Sequence, residues 1–141
     1  MEQLKKLKNN IYLREKNFNY LRNFFKNYKN LLNLPEQDKG IKTAWLAFPL
    51  VIKNNKYFSR KDLQIFFEKK NIQTRTIFTG NILRQPIMKG RIFKKAKNSE
   101  SVSNDVMKNG ILIGCHQGMN KNDLSYICNI FKKFIKKTVK Y

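Results

Sequence analysis

Apolar side chains recur at intervals of three and four residues along the N-terminal part of the chain. The series consists of Leu4, Leu7, Ile11, Phe18, Leu21, Phe25, Tyr28 and Leu32, and Arg14 interrupts it. This spacing predicts one amphipathic helix over residues 1–34, about 30 residues against the roughly 11 of an average globular helix. A helix of that length either bridges two bodies, packs along a partner or lies across its own sheet, and the apolar face fits all three.

The next apolar segment, beyond a polar turn bracketed by Pro35 and Gly40, alternates with a period of two. The side chains on one face are Ala44, Leu46, Phe48, Leu50 and Ile52, and those on the other are Trp45, Ala47 and Val51. Residues 42–53 are therefore predicted to form a strand that is covered on both faces. Because proline cannot donate to a strand ladder, Pro49 places the strand at an edge or at a bulge.

A helix and a second strand are predicted downstream. Ser59 is an N-cap residue, and Asp62 three positions later completes a capping signal ahead of the apolar Leu63, Phe66 and Phe67. Residues 72–78 then alternate as in a strand. Ile72, Thr74, Thr76 and Phe78 occupy one face of it.

The loop after this strand carries the most distinctive polar residues of the chain. Gly80 and Asn81 tolerate positive φ and break the strand, while Pro86 prevents a simple continuation into helix. Between them, Asn81, Arg84 and Gln85 bring together amide and guanidinium groups. Such donors at the end of a strand suit an oxygen-rich, anionic small molecule, and a polar surface loop explains them equally.

The last third of the chain alternates between basic and apolar segments. Residues 87–105 are expected to form a mobile basic loop, followed by a helical turn at residues 105–108. A short buried strand follows at residues 111–113, and Asn120 with Asp123 caps a final helix. Its apolar face consists of Leu124, Ile127, Phe131, Phe134 and Ile135. The pattern predicts an α+β body over residues 35–141, in the order strand–helix–strand–strand–helix, behind the connecting helix of residues 1–34.

The formal charge of +21, from 30 basic and 9 acidic residues, has two explanations. Clustered charge of this size indicates nucleic acid or an anionic membrane surface. Here lysines are scattered and asparagine is abundant, which is also typical of a surface biased in composition. The apolar runs are too short for a membrane span, and residues 1–20 lack a secretion signal, so a cytoplasmic protein is predicted. Cys115 and Cys128 are then expected as reduced core thiols, with no zinc site.

The sequence offers binding groups without a complete set of catalytic residues. The carboxylates are dispersed, and no phosphate-binding glycine loop is present. His116 is the single histidine. It follows Cys115 directly, and neighbouring strand side chains point to opposite faces, which disfavours a thiol–imidazole pair. We therefore assign no catalytic residue and no metal ligand.

Several segments together resemble one enzyme family. They are residues 3–7 (QLKKL), Arg14, residues 17–21 (NFNYL), residues 34–36 (LPE), residues 72–86 (IQTRTIFTGNILRQP), Trp45, Phe48, residues 105–107 (DVM), Ile113 and Gly114. They resemble the C-terminal part of the DegT/DnrJ/StrS sugar aminotransferases, nearest to the RfbH-like lipopolysaccharide proteins, which are CDP-4-keto-6-deoxy-glucose 3-dehydrases. The resemblance covers nearly the whole chain, and residues 80–86 are its most specific element.

The resemblance implies a fold-type-I pyridoxal-phosphate architecture in which this chain is the small C-terminal domain with its connecting helix. In the full-length family, pyridoxal or pyridoxamine phosphate is held by a larger upstream domain, with a Schiff-base lysine or, in dehydrases, a histidine. None of these residues is assigned here, and this chain alone is expected to bind no cofactor. The expected partners are a nucleotide sugar and the missing domain, as a separate chain or within a family-type homodimer. A truncated or split coding sequence without independent turnover is expected.

The same resemblance implies that this domain closes over the nucleotide sugar. Arg75 and Arg84 are then predicted to bind anionic or carbonyl oxygens, and Asn81 and Gln85 to bind sugar hydroxyls. His116 is a further candidate. Two alternatives remain open: Arg75 pairs with a core carboxylate, and His116 is hydrogen-bonded to backbone. A different class of function, a basic nucleic-acid-binding module docking through the long helix, ranks lower because no reader motif is present.

Overall fold

The computed structural model describes residues 2–94 and 99–139 of the chain. Its helices are α1 (Glu2–Phe25), α2 (Arg60–Glu68), α3 (Ser99–Asn109) and α4 (Lys121–Thr138), with 3-10 turns at Lys26–Tyr28, Ile82–Arg84 and Pro86–Met88. Its strands are β1 (Leu32–Asn33), β2 (Ala47–Ile52), β3 (Thr74–Thr76) and β4 (Gly110–Gly114). The predicted α+β class with a small sheet and one long N-terminal helix is confirmed.

The four strands form one antiparallel sheet in the order β1-β2-β4-β3. Ile113 of β4 lies opposite Phe48 of β2 and opposite Thr74 of β3. The edge position or bulge predicted from Pro49 is wrong, since β2 has a neighbour on each side and its register with β4 is continuous from Ala47 to Val51. However, β1 reaches only Val51 and Ile52, so at Pro49 the described strand pairing comes from β4 alone. The missing amide hydrogen of proline is therefore tolerated at this point.

The N-terminal helix is shorter than the periodicity predicts. It ends at Phe25, and the chain then forms a 3-10 turn and strand β1, so Leu32 is a strand residue and the helix predicted over residues 1–34 is wrong at its C-terminal limit. Only the second half of α1 enters the core: Phe18 and Leu21 are buried, while Leu4 is 70% exposed. The second half of the helix therefore packs on the core of its own domain, while bridging to another body or packing along a partner stays a prediction for the exposed first half.

The core forms where α1 and α4 pack on the sheet. The Phe25 ring lies 5.6 Å from that of Phe48 and 5.0 Å from that of Phe131 (centroid distances), which joins the two helices to β2. Helix α2 contributes Phe67, whose ring lies 6.4 Å from that of Phe131. Burial of these apolar rings is the main stabilising contribution to the domain.

Three further predictions need correction. The strand predicted over residues 42–53 begins at Ala47, and Leu46 is 72% exposed. The strand predicted over residues 72–78 is only Thr74–Thr76, and Phe78 is 88% exposed with a φ of 46°. The helical turn predicted at residues 105–108 is the end of helix α3, which begins at Ser99. The structure also contains β1 and α3, which the predicted order strand–helix–strand–strand–helix lacks. The basic residues Lys95 and Lys97 of the predicted mobile loop lie outside the described residues.

The local signals for α2 and α4 are confirmed. Ser59 with Asp62, and Asn120 with Asp123, form reciprocal capping boxes at the starts of these helices. Both cysteines are free and buried, and burial raises the pKa of each thiol to about 11. The two thiols are therefore protonated at neutral pH.

A pH-dependent contact joins the end of α2 to the start of β3. Glu68 Oε1 accepts hydrogen bonds from the hydroxyl and the backbone N–H of Thr74, each 2.7 Å long, and these hold the pKa of the Glu68 carboxyl below its ordinary 4.5. A carboxyl with a depressed folded-state pKa stabilises the fold above its unfolded-state pKa, and this stabilisation is lost as the pH falls through the folded-state value. We expect Glu68→Gln to lower the unfolding temperature at about pH 7 and to lower it less at about pH 3, below the ordinary pKa of a glutamate.

Thermal unfolding of both proteins across this pH range would check the prediction. Thr74→Val provides the control, because it removes the hydroxyl that binds Glu68. In the Thr74→Val background, Glu68→Gln should lower the unfolding temperature by less than it does in the parent protein. An equal effect of Glu68→Gln at both pH values would contradict the assignment.

Candidate functional site

Several backbone and side-chain contacts fix the position of the loop between β3 and α3. A turn closes it where Gly80 N donates to Ile77 O over 3.1 Å, and Gly80 adopts a φ of +69°. A Cβ placed on Gly80 would lie 2.4 Å from Cβ of Met107 in α3. Only glycine satisfies both the backbone conformation and this close approach. The positive φ expected at Gly80 is confirmed, whereas Asn81 has a φ of −90°.

Asn81 is 3% exposed and its side chain holds the loop together. Its Oδ1 accepts a hydrogen bond of 2.9 Å from Leu83 N, which caps the 3-10 turn Ile82–Arg84. Its Nδ2 donates to Oδ1 of Asn104 in α3 over 2.9 Å. The contact between Asn81 and a sugar hydroxyl stays a prediction, and the described role of the side chain is to fix the loop.

Arg84 and Gln85 lie beside Asn81. The Arg84 Nε donates to the same Asn104 Oδ1, at 3.2 Å, and the Arg84 side chain is exposed. The Gln85 Nε2 donates to Thr79 O at 3.0 Å and to Asn81 O at 3.5 Å. The structure therefore brings Asn81, Arg84 and Gln85 together on one loop, as the sequence predicts, and attaches that loop to α3.

Arg75 lies one strand position before the end of β3, paired in register with Leu112. Its neighbour Thr74 is buried, so the alternation of a strand turns Arg75 to the other face, where it is exposed. Across the ranges 2–94 and 99–139, its guanidinium has neither a hydrogen bond nor an ion pair. The alternative in which Arg75 pairs with a core carboxylate is therefore wrong for the described chain.

His116 lies at the opposite end of the sheet from this loop. The chain enters β3 beside Ile113 and leaves it beside Ile111, whereas His116 follows the end of β4. Its Nδ1 accepts a hydrogen bond of 3.2 Å from Gly118 N, so the alternative of a backbone-bonded histidine is confirmed. The structure does not bring His116 together with Arg84.

Two residues of α1 that the sequence did not single out as site residues hold the segment around His116. Asn17 is buried, and its Nδ2 donates to His116 O at 2.8 Å. Arg14, the interruption in the apolar stripe, donates through Nε to Gln117 Oε1 at 2.7 Å. A charged residue interrupting an otherwise apolar face was the available signal for such a contact. Asn104 carried no comparable signal, because its helix was not predicted.

A polar cavity of about 410 Å³ lies along α1 near this second end of the sheet. Glu15, Arg22 and Asp38 line it, and Trp45 forms one wall. The Trp45 indole is stacked on Phe18, with ring centroids 3.9 Å apart, and its N–H donates to Gln37 Oε1 at 3.0 Å. This cavity is separate from the Arg84 loop, because Trp45 precedes the residue paired with Gly114 at the far end of β4.

The described lysines do not fit a Schiff-base role. Lys53 is half-buried and the others are exposed, whereas a Schiff-base lysine needs a desolvated site that lowers its pKa. The described residues therefore supply no lysine suited to hold pyridoxal phosphate as a Schiff base. Among the described residues, no cluster of three or more His, Cys, Asp or Glu side chains is suited to a metal ion. Within the same ranges, every helix is too short or too polar to cross a bilayer.

The long N-terminal helix and the small antiparallel sheet form an arrangement that also occurs in solved structures of the aminotransferase fold. Residues 1–132 match the DegT/DnrJ/EryC1/StrS aminotransferase family, and the chain belongs to it. The resemblance seen in the sequence is therefore confirmed.

The curated relatives that the chain resembles include sugar 3-dehydratases. It is 28% identical over 137 residues to the lipopolysaccharide biosynthesis protein RfbH of Salmonella typhimurium, covering 95% of this chain and 30% of that protein. It is 30% identical over 132 residues to GDP-4-keto-6-deoxy-D-mannose 3-dehydratase of Escherichia coli O55:H7, covering 94% and 33%. The chain thus spans about a third of the length of the curated relatives it matches.

Solved structures share the fold of nearly the whole chain. A GDP-4-keto-6-deoxymannose-3-dehydratase with a trapped PLP-glutamate geminal diamine superposes with a TM-score of 0.79 and 29% identity, over 92% of this chain and 33% of that one. An aminotransferase from Psychrobacter cryohalolentis gives a TM-score of 0.82 at 9% identity, over 98% and 37%. The second comparison shows the fold alone.

Proposed function

We propose that this chain is the C-terminal, substrate-closing domain of a PLP- or PMP-dependent nucleotide-sugar 3-dehydratase or aminotransferase of lipopolysaccharide deoxysugar biosynthesis. The observation that carries the proposal is the hydrogen bond from Arg84 to Asn104 of helix α3, within a chain that matches this family along residues 1–132. The relatives named as 3-dehydratases favour dehydration over transamination. The chain has no turnover alone, because the cofactor and its binding residues come from elsewhere, either from a further domain or from a partner chain.

The exposed guanidinium groups supply the anion-binding part of the site. The Nη groups of Arg84 make no hydrogen bond within the described residues, and Arg75 is likewise unpaired there. The N–H groups of a planar guanidinium match the geometry of phosphate and carbonyl oxygens. Arg84 and Arg75 therefore bind the diphosphate or the keto sugar. The +21 charge of the chain adds a general attraction for anions.

The amides of the loop have complementary tasks. The Gln85 Nε2 is used by the backbone of the loop, which leaves Oε1 as an acceptor for a sugar hydroxyl. Asn81 is buried and would reach a hydroxyl only if the loop opened. His116 would meet the sugar only if the substrate extended to the far end of the sheet. The contacts with Arg84 and Gln85 are therefore the best supported.

A chimera tests the function directly. The third of Escherichia coli GDP-4-keto-6-deoxy-D-mannose 3-dehydratase that corresponds to this chain would be replaced by this chain. The product should hold PLP, as judged by its absorbance, and dehydrate the nucleotide sugar. Arg84→Gln should raise KM about tenfold, as expected for a charged hydrogen bond to substrate.

Arg91→Gln is the matched control, because it removes the same charge from an exposed arginine of the same loop that lies beyond the 3-10 turn Pro86–Met88. It should leave KM near that of the parent chimera. A folded, PLP-loaded chimera without turnover would overturn the proposal, and so would equal effects of the two arginine substitutions. For the isolated chain, titration with GDP at about 0.15 M salt gives a second readout, in which only Arg84→Gln should weaken binding.

Nucleic-acid binding is the second candidate, favoured by the +21 charge and the exposed lysines. It requires an affinity for DNA or RNA that falls steeply with salt, since binding would release condensed counterions. A weak and flat salt response would exclude it. Tight, salt-steep binding to nucleic acid, without binding of GDP, would favour it over the sugar-nucleotide proposal.

A further inference from the structure

We propose that Asn104 is a positioning residue that sets the orientation of the Arg84 guanidinium toward the anionic part of the substrate. The inference rests on the proposed function and assigns a role to a residue in α3, remote in sequence from the loop. In this role, Asn104 also determines which nitrogen atoms of the Arg84 guanidinium face the ligand.

The geometry centres on one oxygen atom. Asn104 Oδ1 accepts hydrogen bonds from Asn81 Nδ2 at 2.9 Å and from Arg84 Nε at 3.2 Å. Asn81 is 3% exposed and Asn104 is half-buried, so the hydrogen bond between these two side chains is partly buried, whereas the one to Arg84 is exposed. One side chain of α3 therefore holds both the buried and the exposed polar residue of the loop.

The orientation of the two amides is fixed by the donors around them. Asn81 Oδ1 accepts from Leu83 N, so its Nδ2 must face Asn104. A guanidinium has donors only, so Arg84 also requires an acceptor at this point. Asn104 must then present its oxygen, and a residue without an acceptor here leaves the buried Asn81 Nδ2 unsatisfied and leaves Arg84 Nε to water.

The hydrogen bond to Asn104 decides which nitrogen atoms of the Arg84 guanidinium are available to bind an anion. An arginine can bind an oxyanion through Nε and one Nη group, or through its two Nη groups. Because Nε of Arg84 is bonded to Asn104, the free edge is the pair of Nη groups, and this pair faces the ligand. A neutral amide also leaves the positive charge of Arg84 unpaired, whereas a carboxylate at this position would neutralise it.

The first test observes the Arg84 side chain without any ligand. In nitrogen-15 spectra of the chain, hydrogen exchange at Arg84 Nε should be slow in the parent and at least about threefold faster in Asn104→Ala. Asn104→Asp keeps the acceptor and should keep the protection. Arg91 is the internal reference, since its Nε donates to Ile87 O at 2.9 Å and should exchange equally in all variants. Unchanged exchange at Arg84 in Asn104→Ala would overturn the proposal.

The second test is a double-mutant cycle on the affinity for GDP. Asn104→Ala should weaken binding by about threefold to tenfold and should have little effect in an Arg84→Gln background, because it acts through Arg84. Asn104→Asp should also weaken binding although it preserves the Nε protection. A merely structural role predicts additive losses in the cycle, and that result would overturn the proposal. If the parent chain binds no GDP, the proposed function fails, while the exchange experiment still decides the role of Asn104.

Discussion

Phe131→Ala should lower the free energy of unfolding by about 3–5 kcal/mol, the usual range for removing a fully buried aromatic ring. Phe131 is fully buried, and its ring contacts Phe24, Phe25, Tyr28, Phe67 and Phe134, with centroid distances between 4.9 and 6.5 Å. These partners belong to α1, the turn after it, α2 and α4. The substitution would therefore leave a cavity at the point where three helices meet, and urea unfolding followed by circular dichroism measures its cost.

Phe78→Ala is the matched control for this substitution. Phe78 is 88% exposed, and alanine keeps the Cβ that its left-handed backbone already accommodates, so the change should stay within about 0.5 kcal/mol. If Phe131→Ala does not fold, Phe131→Leu should show a smaller loss of the same sign. A loss below about 1 kcal/mol in Phe131→Ala would contradict the central position of this ring.

Gly80→Ala should lower the free energy of unfolding by about 2–4 kcal/mol, the sum of a left-handed backbone penalty and of overpacking. The new methyl group would meet Met107 at 2.4 Å, and the backbone there has a φ of +69°. The loop must then move away from α3, which also separates Arg84 from Asn104. Beyond stability, we expect the protection of Arg84 Nε to be lost in the same variant.

Gly40→Ala separates the left-handed backbone penalty from the cost of overpacking. Gly40 has a φ of +84°, and a Cβ there would have no neighbour within 4 Å, so only the backbone penalty of about 1 kcal/mol applies. Chemical unfolding of both variants measures the difference, which reports the contact with Met107. Equal losses in the two variants would mean that the loop does not press on α3 as described.

The sequence was most informative where the signal is local and repeated. For α4, an N-cap at Asn120, an acidic residue at Asp123 and an apolar stripe including Phe131 fixed the start and the buried face of the helix, and the structure agrees. The α2 capping box was predicted in the same way. Such elements are specified by neighbours three and four positions apart, which a sequence shows directly.

Periodicity failed at the boundaries of α1 and β3. The apolar series runs on to Leu32, but Leu32 pairs with Ile52 in the sheet, and a hydrogen-bonded strand partner overrides the helical spacing. Phe78 continues the alternation of β3, yet the turn that ends in Gly80 takes it out of the strand. The helix around Asn104 lacked a strong apolar stripe, so its position became evident only in the fold.

The sequence by itself determined the α+β class, the family and the composition of the polar loop, because these depend on residue identity and short spacing. The tertiary structure alone decided how the loop is used. It showed that Asn81 is buried, that Asn104 binds Arg84, and that His116 lies at the other end of the sheet. Contacts between residues some twenty or more positions apart depend on how strands pair and helices pack, and this chain carries no local pattern that encodes them.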